Sequence, residues 1–94
     1  MLKKIFGKGI NIQILETFLK PENRGKWLNV REIGRQSGVS AGTISRRINE
    51  LVQNQLLIEE KPSKFTRIFK LNLENPYVPL LIDFFERIKN VNRF

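Results

Sequence analysis

The first regular pattern in the chain is an apolar stripe with helical spacing. Ile12, Leu15 and Leu19 fall three or four residues apart and predict a helix over about 11–20. Pro21 follows directly, and "ENRGK" after it has the composition of a loop. The stripe therefore predicts a first helix that packs one side against a core.

Two more helices, separated by a tight turn, are predicted in the middle of the chain. "KWLNV" before them has the composition of a very short strand. Asn29 can cap a helix over about 30–37, because Glu32 stands three residues further on, as in a capping box. Gly38 lies where this helix needs a left-handed residue to end it.

The third helix, over about 40–54, has one narrow apolar face. Ser40 is a favourable N-cap residue. Ile44, Ile48 and Leu51 repeat at i, i+4 and i+7, so they point to one side and predict packing against the core. Two helices joined by a short turn with a glycine are typical of a helix-turn-helix.

A β-hairpin over about 56–73 is predicted next. Two segments rich in branched and aromatic residues are joined there by the polar connection "KPSK". Period-two alternation places Phe65, Phe69, Leu71 and Leu73 on one side of the second strand.

A last helix is predicted over about 75–92, with Asn75 as its cap and Pro76 at the first helical position. Its wide apolar stripe consists of Leu80, Leu81, Phe84, Phe85, Ile88 and Val91. With no repeat or low-complexity tract, the pattern indicates one mainly α domain over 1–94, with a small β-hairpin.

Charge narrows the possible partners. Seventeen Lys and Arg against nine Asp and Glu give a formal net charge of +8. Nucleic acid is the commonest partner of so basic a domain. A membrane surface, which needs a basic amphipathic helix, and simple solubility are the alternatives. No apolar run is long enough to span a membrane, so we expect a cytoplasmic protein with no membrane partner.

Composition also argues against catalysis. Without histidine or cysteine, the chain has no residues for a Ser–His or Cys–His dyad, or for an imidazole or thiolate metal site. Glu59-Glu60 is the only adjacent pair of carboxylates, and it lies among lysines. "GKG" near the N-terminus is too short for a phosphate loop. We therefore expect no enzymatic activity, cofactor or metal.

The outer side of the third helix has the residue types that read DNA bases. Gly42, Arg46, Asn49 and Gln53 lie opposite the apolar face, and no carboxylate lies among them. In the major groove, arginine can bond guanine, and asparagine or glutamine can bond adenine. This pattern favours DNA reading over the alternative, a solvated helix side that happens to lack acids.

The start of the same helix is suited to backbone phosphates. Ala41 and Gly42 are small and allow close approach to the groove. The hydroxyls of Ser40, Thr43 and Ser45 can donate to phosphate oxygens. We expect these residues to position the helix on the duplex.

Arg47 and Glu50 are predicted on the two flanks of the reading side. Arg47 lies near the edge of the core, which suits a phosphate contact or an ion pair with a neighbouring acid. Glu50 is placed on the other flank, away from the groove floor, because a carboxylate there would repel phosphate.

Four cations surround the turn and the second strand of the hairpin: Lys61, Lys64, Arg67 and Lys70. A basic hairpin tip can lie along a phosphate backbone, and we expect Lys64 and Arg67 to make such contacts. Glu59 and Glu60 lie close to the tip and weaken this interpretation. The alternative is that the lysines only protect an exposed strand edge.

The motif is similar to a known class of regulators. "LNVREIGRQSGVSAGTISRRINELVQNQLL" resembles the helix-turn-helix of ArsR- and MarR-type winged-helix regulators, and an "FG" entry resembles archaeal members. The resemblance implies that Ser40, Thr43, Ser45 and Arg46 face DNA and that the hairpin forms the wing. It gives no support for metal sensing, because the cysteines or histidines of ArsR-type sensors are missing.

One position departs from this resemblance. Where such regulators usually have a glycine before the wing, this chain has Gln55, directly after Asn54. Asparagine tolerates a left-handed conformation, so we expect Asn54 to end the third helix.

The resemblance also implies a dimer, since the terminal helices of these regulators often pair symmetrically. The stripe of the last helix exceeds what one small domain readily buries, and Ile5 and Phe6 are expected to join the interface. Two recognition helices about one duplex turn apart, roughly 34 Å, favour a near-palindromic site.

The predicted function is therefore a homodimeric, sequence-specific regulator of transcription that binds duplex DNA. Its simplest action is repression by occluding a promoter, with either no effector or a small one at the dimer interface. A winged-helix adaptor for proteins, and a plasmid or virus replication or partition factor, are the alternatives.

Overall fold

The computed structural model describes residues 9–91. The predicted interface residues Ile5 and Phe6 lie outside this range. In chain order, the elements are α1 (Ile10–Leu19), a 3-10 turn (Pro21–Asn23), β1 (Leu28–Asn29), α2 (Val30–Ser37), α3 (Ala41–Gln53), β2 (Leu57–Ser63), β3 (Thr66–Leu71) and α4 (Tyr77–Val91). Apart from the 3-10 turn, this order is the predicted one; α2 has the predicted bounds, and the ends of the other helices differ from the predicted ends by one or two residues.

The boundaries of α2 follow from local hydrogen bonds. The Asn29 side chain accepts from the N–H of Glu32 at 2.8 Å, and the Glu32 carboxylate accepts from the N–H of Asn29 at 3.0 Å. Gly38, at φ 77°, ends the helix and donates its N–H to the carbonyl of Gly34 at 2.9 Å. The predicted capping box and left-handed glycine are both confirmed.

The next helix, α3, begins as expected. The Ser40 hydroxyl accepts from the N–H of Thr43 at 3.4 Å, so Ser40 is its N-cap. Ile44, Ile48 and Leu51 are all buried in the core, which confirms the predicted inner face of the helix.

Asn54 is the C-cap of α3, so the helix ends at the predicted residue, but Asn54 does not have the predicted left-handed conformation. Asn54 has φ −83°, and the left-handed residue is Gln55, at φ 62°. The N–H of Gln55 donates to the carbonyl of Val52, and the N–H of Leu56 to that of Leu51, both at 3.0 Å. This pair of bonds is a Schellman motif, which requires the left-handed residue one position after the cap.

The three strands form an antiparallel sheet in the order β1–β3–β2. Phe69 of β3 pairs with Leu28 of β1 and Glu59 of β2. Only two residues of the predicted first strand are extended, and they add an edge to the predicted hairpin. The sheet thus joins the segment before α2 to the hairpin that follows α3.

The predicted alternation along the hairpin is only partly correct. Phe69 and Leu71 are buried, but the side chain of Phe65 is 95% exposed and that of Leu73 is half-exposed. Phe65 lies in the turn and Leu73 follows the end of β3, so neither continues the pleat of the strand.

The last helix covers the core with only part of its apolar stripe. Val78 and Phe85 are buried, while Leu81 and Ile88 are half-buried against the same core. The prediction that Phe85 lies in the dimer interface is wrong, because this residue is only 4% exposed and packs in the core of the single chain.

A buried polar residue that the sequence did not single out joins α1 to α2. Asn23 is 1% exposed and donates from its amide to the carbonyl of Thr17 and to the Gln36 side chain, both at 2.7 Å. Both partners are acceptors, so they require an N–H donor at this position.

Candidate DNA-binding surface

The outer face of α3 has the predicted composition. Gly42, Arg46, Asn49 and Gln53 are exposed on the side opposite the buried residues of the helix. The one acid of α3, Glu50, lies beside this row rather than in it. We call these four exposed residues the reading face.

Arg46 is the one cation of the reading face, and the only hydrogen bond of its side chain within residues 9–91 is a long one. Its guanidinium donates to the Thr43 hydroxyl at 3.4 Å, and Thr43 in turn accepts from the Ser40 hydroxyl at 2.9 Å. No acid among residues 9–91 pairs with it. A Cβ on Gly42 would lie 3.7 Å from the guanidinium, so the glycine leaves room beside it. Arg46 is therefore available to a ligand.

Arg47 points to the flank of α3 that meets α1. Its Nε lies 3.4 Å from the Asn11 side-chain oxygen and 3.9 Å from a Glu50 carboxylate oxygen. Asn11 donates to Glu50 at 2.7 Å, which closes the cluster. The predicted placement of Arg47 and Glu50 on opposite flanks is wrong, because residues three apart in a helix are neighbours. Of the two predicted roles, the ion pair with an acid is the one present.

Arg67 connects the hairpin to the reading face. Its guanidinium donates to both Glu59 carboxylate oxygens, at 2.7 and 3.2 Å, and to the Asn49 side-chain oxygen at 2.6 Å. It also reaches the carbonyl of Ser45 at 3.3 Å and lies 5.0 Å from the centre of the Phe69 ring. These hydrogen bonds hold the pKa of Glu59 below its ordinary value.

The contact between Arg67 and Asn49 was missed in the sequence. A partial signal was present, since alternation puts Arg67 and Phe69 on one side of the strand, and diagonal cross-strand neighbours can interact. The contact with α3 depends on how the helix lies over the sheet, which no local pattern gives.

Of the remaining hairpin cations, Lys70 lies 4.8 Å from the centre of the Trp27 ring, whereas Lys61 and Lys64 form no hydrogen bond or ion pair with other residues in the range 9–91. Lys61 and Lys64 are exposed near the turn, and Glu60 is exposed beside them. A groove separates this end of the hairpin from the start of α2 and the middle of α3; it is lined by Asn29, Val30, Arg31, Ser45, Phe65, Thr66 and Arg67. Arg31 and Phe65 were not among the predicted site residues.

Comparison with known proteins shows which family has this arrangement of helices and hairpin. The sequence pattern of the winged helix-turn-helix DNA-binding family matches residues 10–58. The chain belongs to this family. Reduced HlyU from Vibrio cholerae N16961 shares the fold: 21% of residues are identical, the TM-score is 0.65, and the alignment covers 93% of this chain and 83% of HlyU. No curated protein sequence matches the chain.

This identification gives the elements of the winged helix their roles. The α2–turn–α3 segment is the helix-turn-helix and the β2–β3 hairpin is the wing, as the resemblance implied. The predicted fold class, mainly α with a small hairpin and an added C-terminal helix, is confirmed.

The winged helix carries a second exposed surface on α4. Tyr77, Leu80 and Val91 are each about two-thirds exposed and Phe84 is one-third exposed, at 68%, 65%, 69% and 36%. Spacings of three, four and seven residues put these side chains on one side of the helix. We call them the α4 face; Tyr77 was not among the predicted interface residues.

Two further properties concern residues 9–91 as a whole. No group of three or more acidic, histidine or cysteine side chains there is placed to hold a metal ion. None of the helices in that range has both the length and the apolar character needed to cross a bilayer.

Proposed function

We propose that this winged helix is a sequence-specific regulator of transcription that binds duplex DNA through α3. The observation that carries the proposal is the reading face: an exposed row without a carboxylate, on a helix whose opposite side is fully buried. Arg46 is exposed and without an acidic partner among residues 9–91, as a base-reading arginine must be.

The residues divide by chemistry. Arg46, Asn49 and Gln53 read base edges in the major groove, where arginine suits guanine and the amides suit adenine. Ser40, Thr43 and Ser45 donate to phosphates near the start of α3, and Ala41 and Gly42 allow the helix to approach closely. The list of proposed contacts also includes Arg47 on the flank and Lys61 and Lys64 on the wing.

The α4 face supports a homodimer. Exposed Tyr77, Leu80 and Val91 form an apolar strip of a kind that proteins rarely leave in water. We expect a symmetric pairing through this strip to put two reading faces about one duplex turn apart, roughly 34 Å, which would favour a near-palindromic site. A dimer bound across a promoter would repress by occlusion. We place this action in the cytoplasm and assign it no catalytic step or cofactor.

The test of DNA reading is selection of bound sites from a random duplex library, followed by binding across a salt series. We expect enrichment of one near-palindromic motif and affinity that falls steeply with salt, by about 0.9 in log–log slope per phosphate contacted. Absence of any enriched motif, with weak retention that salt does not change, would instead favour the adaptor function.

The test of the dimer is sedimentation of Leu80→Glu, which puts a charge on the α4 face. We expect a folded monomer, because the Leu80 side chain is exposed in the single chain and its loss leaves the core intact. Asn90→Glu adds the same charge to an exposed position away from this face and is expected to remain dimeric. A wild-type monomer at micromolar concentration would overturn the proposed dimer.

A further inference from the structure

Arg67 has the contacts of a positioning residue. Its guanidinium bonds the wing through Glu59 and the reading helix through Asn49 and the carbonyl of Ser45. Its side chain is 26% exposed and that of Glu59 only 17%. All three of its nitrogens already donate to protein oxygens, so few donors remain for a phosphate.

The contact between Arg67 and Asn49 determines which hydrogen-bond donors and acceptors of the Asn49 amide remain for a base. An asparagine side chain has two acceptor lone pairs and two N–H donors. Arg67 takes one lone pair at 2.6 Å, and the carbonyl of Ser45 accepts one weak N–H bond at 3.4 Å. One acceptor and one donor remain, and this is the pair that adenine requires at its N6 and N7 positions.

The same contact fixes the orientation of the amide. Arg67 can only donate, so the oxygen of Asn49 must face it and the nitrogen must face away. Arg67 is itself held in place, because both carboxylate oxygens of Glu59 bond one edge of the guanidinium and Phe69 packs against it. Among the described contacts, only the weak bond to the Ser45 carbonyl at 3.4 Å would oppose a flip of the Asn49 amide without Arg67.

We propose that Arg67 sets base preference indirectly, by holding the Asn49 amide in its reading orientation and the wing against α3, and that it is not a phosphate contact. This proposal rests on the proposed function, because Asn49 is assigned there to base reading. It replaces the expectation that Arg67 lies on the DNA backbone.

The first test compares base discrimination in Arg67→Ala, Asn49→Ala and the double variant. The relevant base pair is the one at which Asn49→Ala loses discrimination. We expect Arg67→Ala to lose at least about fivefold at this base pair. The double variant should lose no more than Asn49→Ala alone, because Arg67 acts through Asn49.

Salt dependence separates positioning from phosphate contact. Arg67→Ala should keep the wild-type slope, whereas loss of a phosphate contact lowers its magnitude by about 0.9. Arg67→Lys keeps the charge but replaces the planar fork, whose three nitrogens meet Glu59, Ser45 and Asn49 at once, by a single nitrogen, so it should lose discrimination as Arg67→Ala does. A reduced slope with discrimination intact, or rescue by lysine, would overturn the proposal.

Arg24→Ala is the matched control. Arg24 pairs with Glu86 at 2.6 Å, close to the 2.7 Å between Arg67 and Glu59. The Arg24 side chain is 23% exposed, close to the 26% of Arg67. It contacts the end of α1 and α4 rather than α3. Arg24→Ala removes the same charge from a similar ion pair and should leave base discrimination unchanged.

A measurement without DNA keeps the two proposals distinguishable. Nitrogen relaxation of the Asn49 side-chain amide in the free protein should report a rigid group in the wild type and in Arg24→Ala, and a mobile one in Arg67→Ala. Equal rigidity in all three would overturn the positioning role. If the wild type binds no DNA, the proposed function fails, while this measurement still decides whether Arg67 orients the amide.

Discussion

Gln55 carries a side chain where the backbone favours glycine. Its φ of 62° lies in the left-handed region, where a residue with a Cβ is disfavoured by about 1–2 kcal/mol. The Schellman bonds of α3 enforce this conformation, and the carbonyl of Gln55 accepts from the amides of Asn72 and Asn75 at 2.9 and 2.8 Å. None of these contacts uses the Gln55 side chain, so Gln55→Gly keeps them.

The expected gain follows from two opposing quantities. Relief of the left-handed conformation contributes about 1–2 kcal/mol, and the extra freedom of glycine in the unfolded chain offsets about 0.5–1 kcal/mol of it. Gln55→Gly should therefore raise the free energy of unfolding by about 0.5–1 kcal/mol, which for a domain of this size raises Tm by about 2–8 °C.

The assay is urea unfolding followed by circular dichroism at one protein concentration, with the midpoint and the m-value both fitted. Gln53→Gly is the matched control, because the same substitution two residues earlier lies within α3 and should lower stability by about 0.5 kcal/mol. If Gln55→Gly destabilises the protein as Gln53→Gly does, the reasoning on backbone strain is refuted.

Three other predictions concern stability. Asn23→Asp should cost about 1–3 kcal/mol, because a carboxylate cannot donate to the two acceptors that Asn23 contacts; urea unfolding measures it, and an unchanged midpoint contradicts it. Phe69→Ala should cost about 3–5 kcal/mol, whereas Phe65→Ala, at an almost fully exposed position, should stay within about 0.5 kcal/mol; equal losses in thermal unfolding would refute the contrast. Arg67 depresses the pKa of Glu59 in the folded state. The ion pair should therefore contribute its full share of the free energy of unfolding above the ordinary pKa of 4.5, and this contribution should be lost as the pH falls through the folded pKa. Glu59→Gln should flatten this acid limb, and a limb identical to that of the wild type would exclude the contribution.

The helix-turn-helix could be predicted because its determinants are local. The capping box of Asn29 and Glu32, the left-handed Gly38 and the cap Ser40 all act within four residues along the chain. The burial of Ile44 and its helical neighbours follows from the same periodicity.

The errors at Phe85 and Arg67 arose where tertiary packing decides. The stripe of the last helix shows that many apolar residues share a side, but the packing of α4 on the rest of the chain, α1 included, decides that Phe85 is buried and Leu80 exposed. Asn54 has the better propensity for a left-handed conformation, yet the hydrogen-bond geometry of the helix end assigns it to Gln55. Arg67 was assigned by its charge and place in the hairpin, whereas its partner Asn49 lies on a different element.

In the proposed function, DNA reading by the outer face of α3 depends most on Arg46. The direct measurement is the affinity of Arg46→Ala for the duplex selected by the wild type and for versions changed at single base pairs. We predict a loss of about 1–3 kcal/mol, roughly 5- to 150-fold, with discrimination relaxed at one base pair. Arg47→Ala should weaken binding less and equally at all sequences. Wild-type affinity and discrimination in Arg46→Ala would contradict the account.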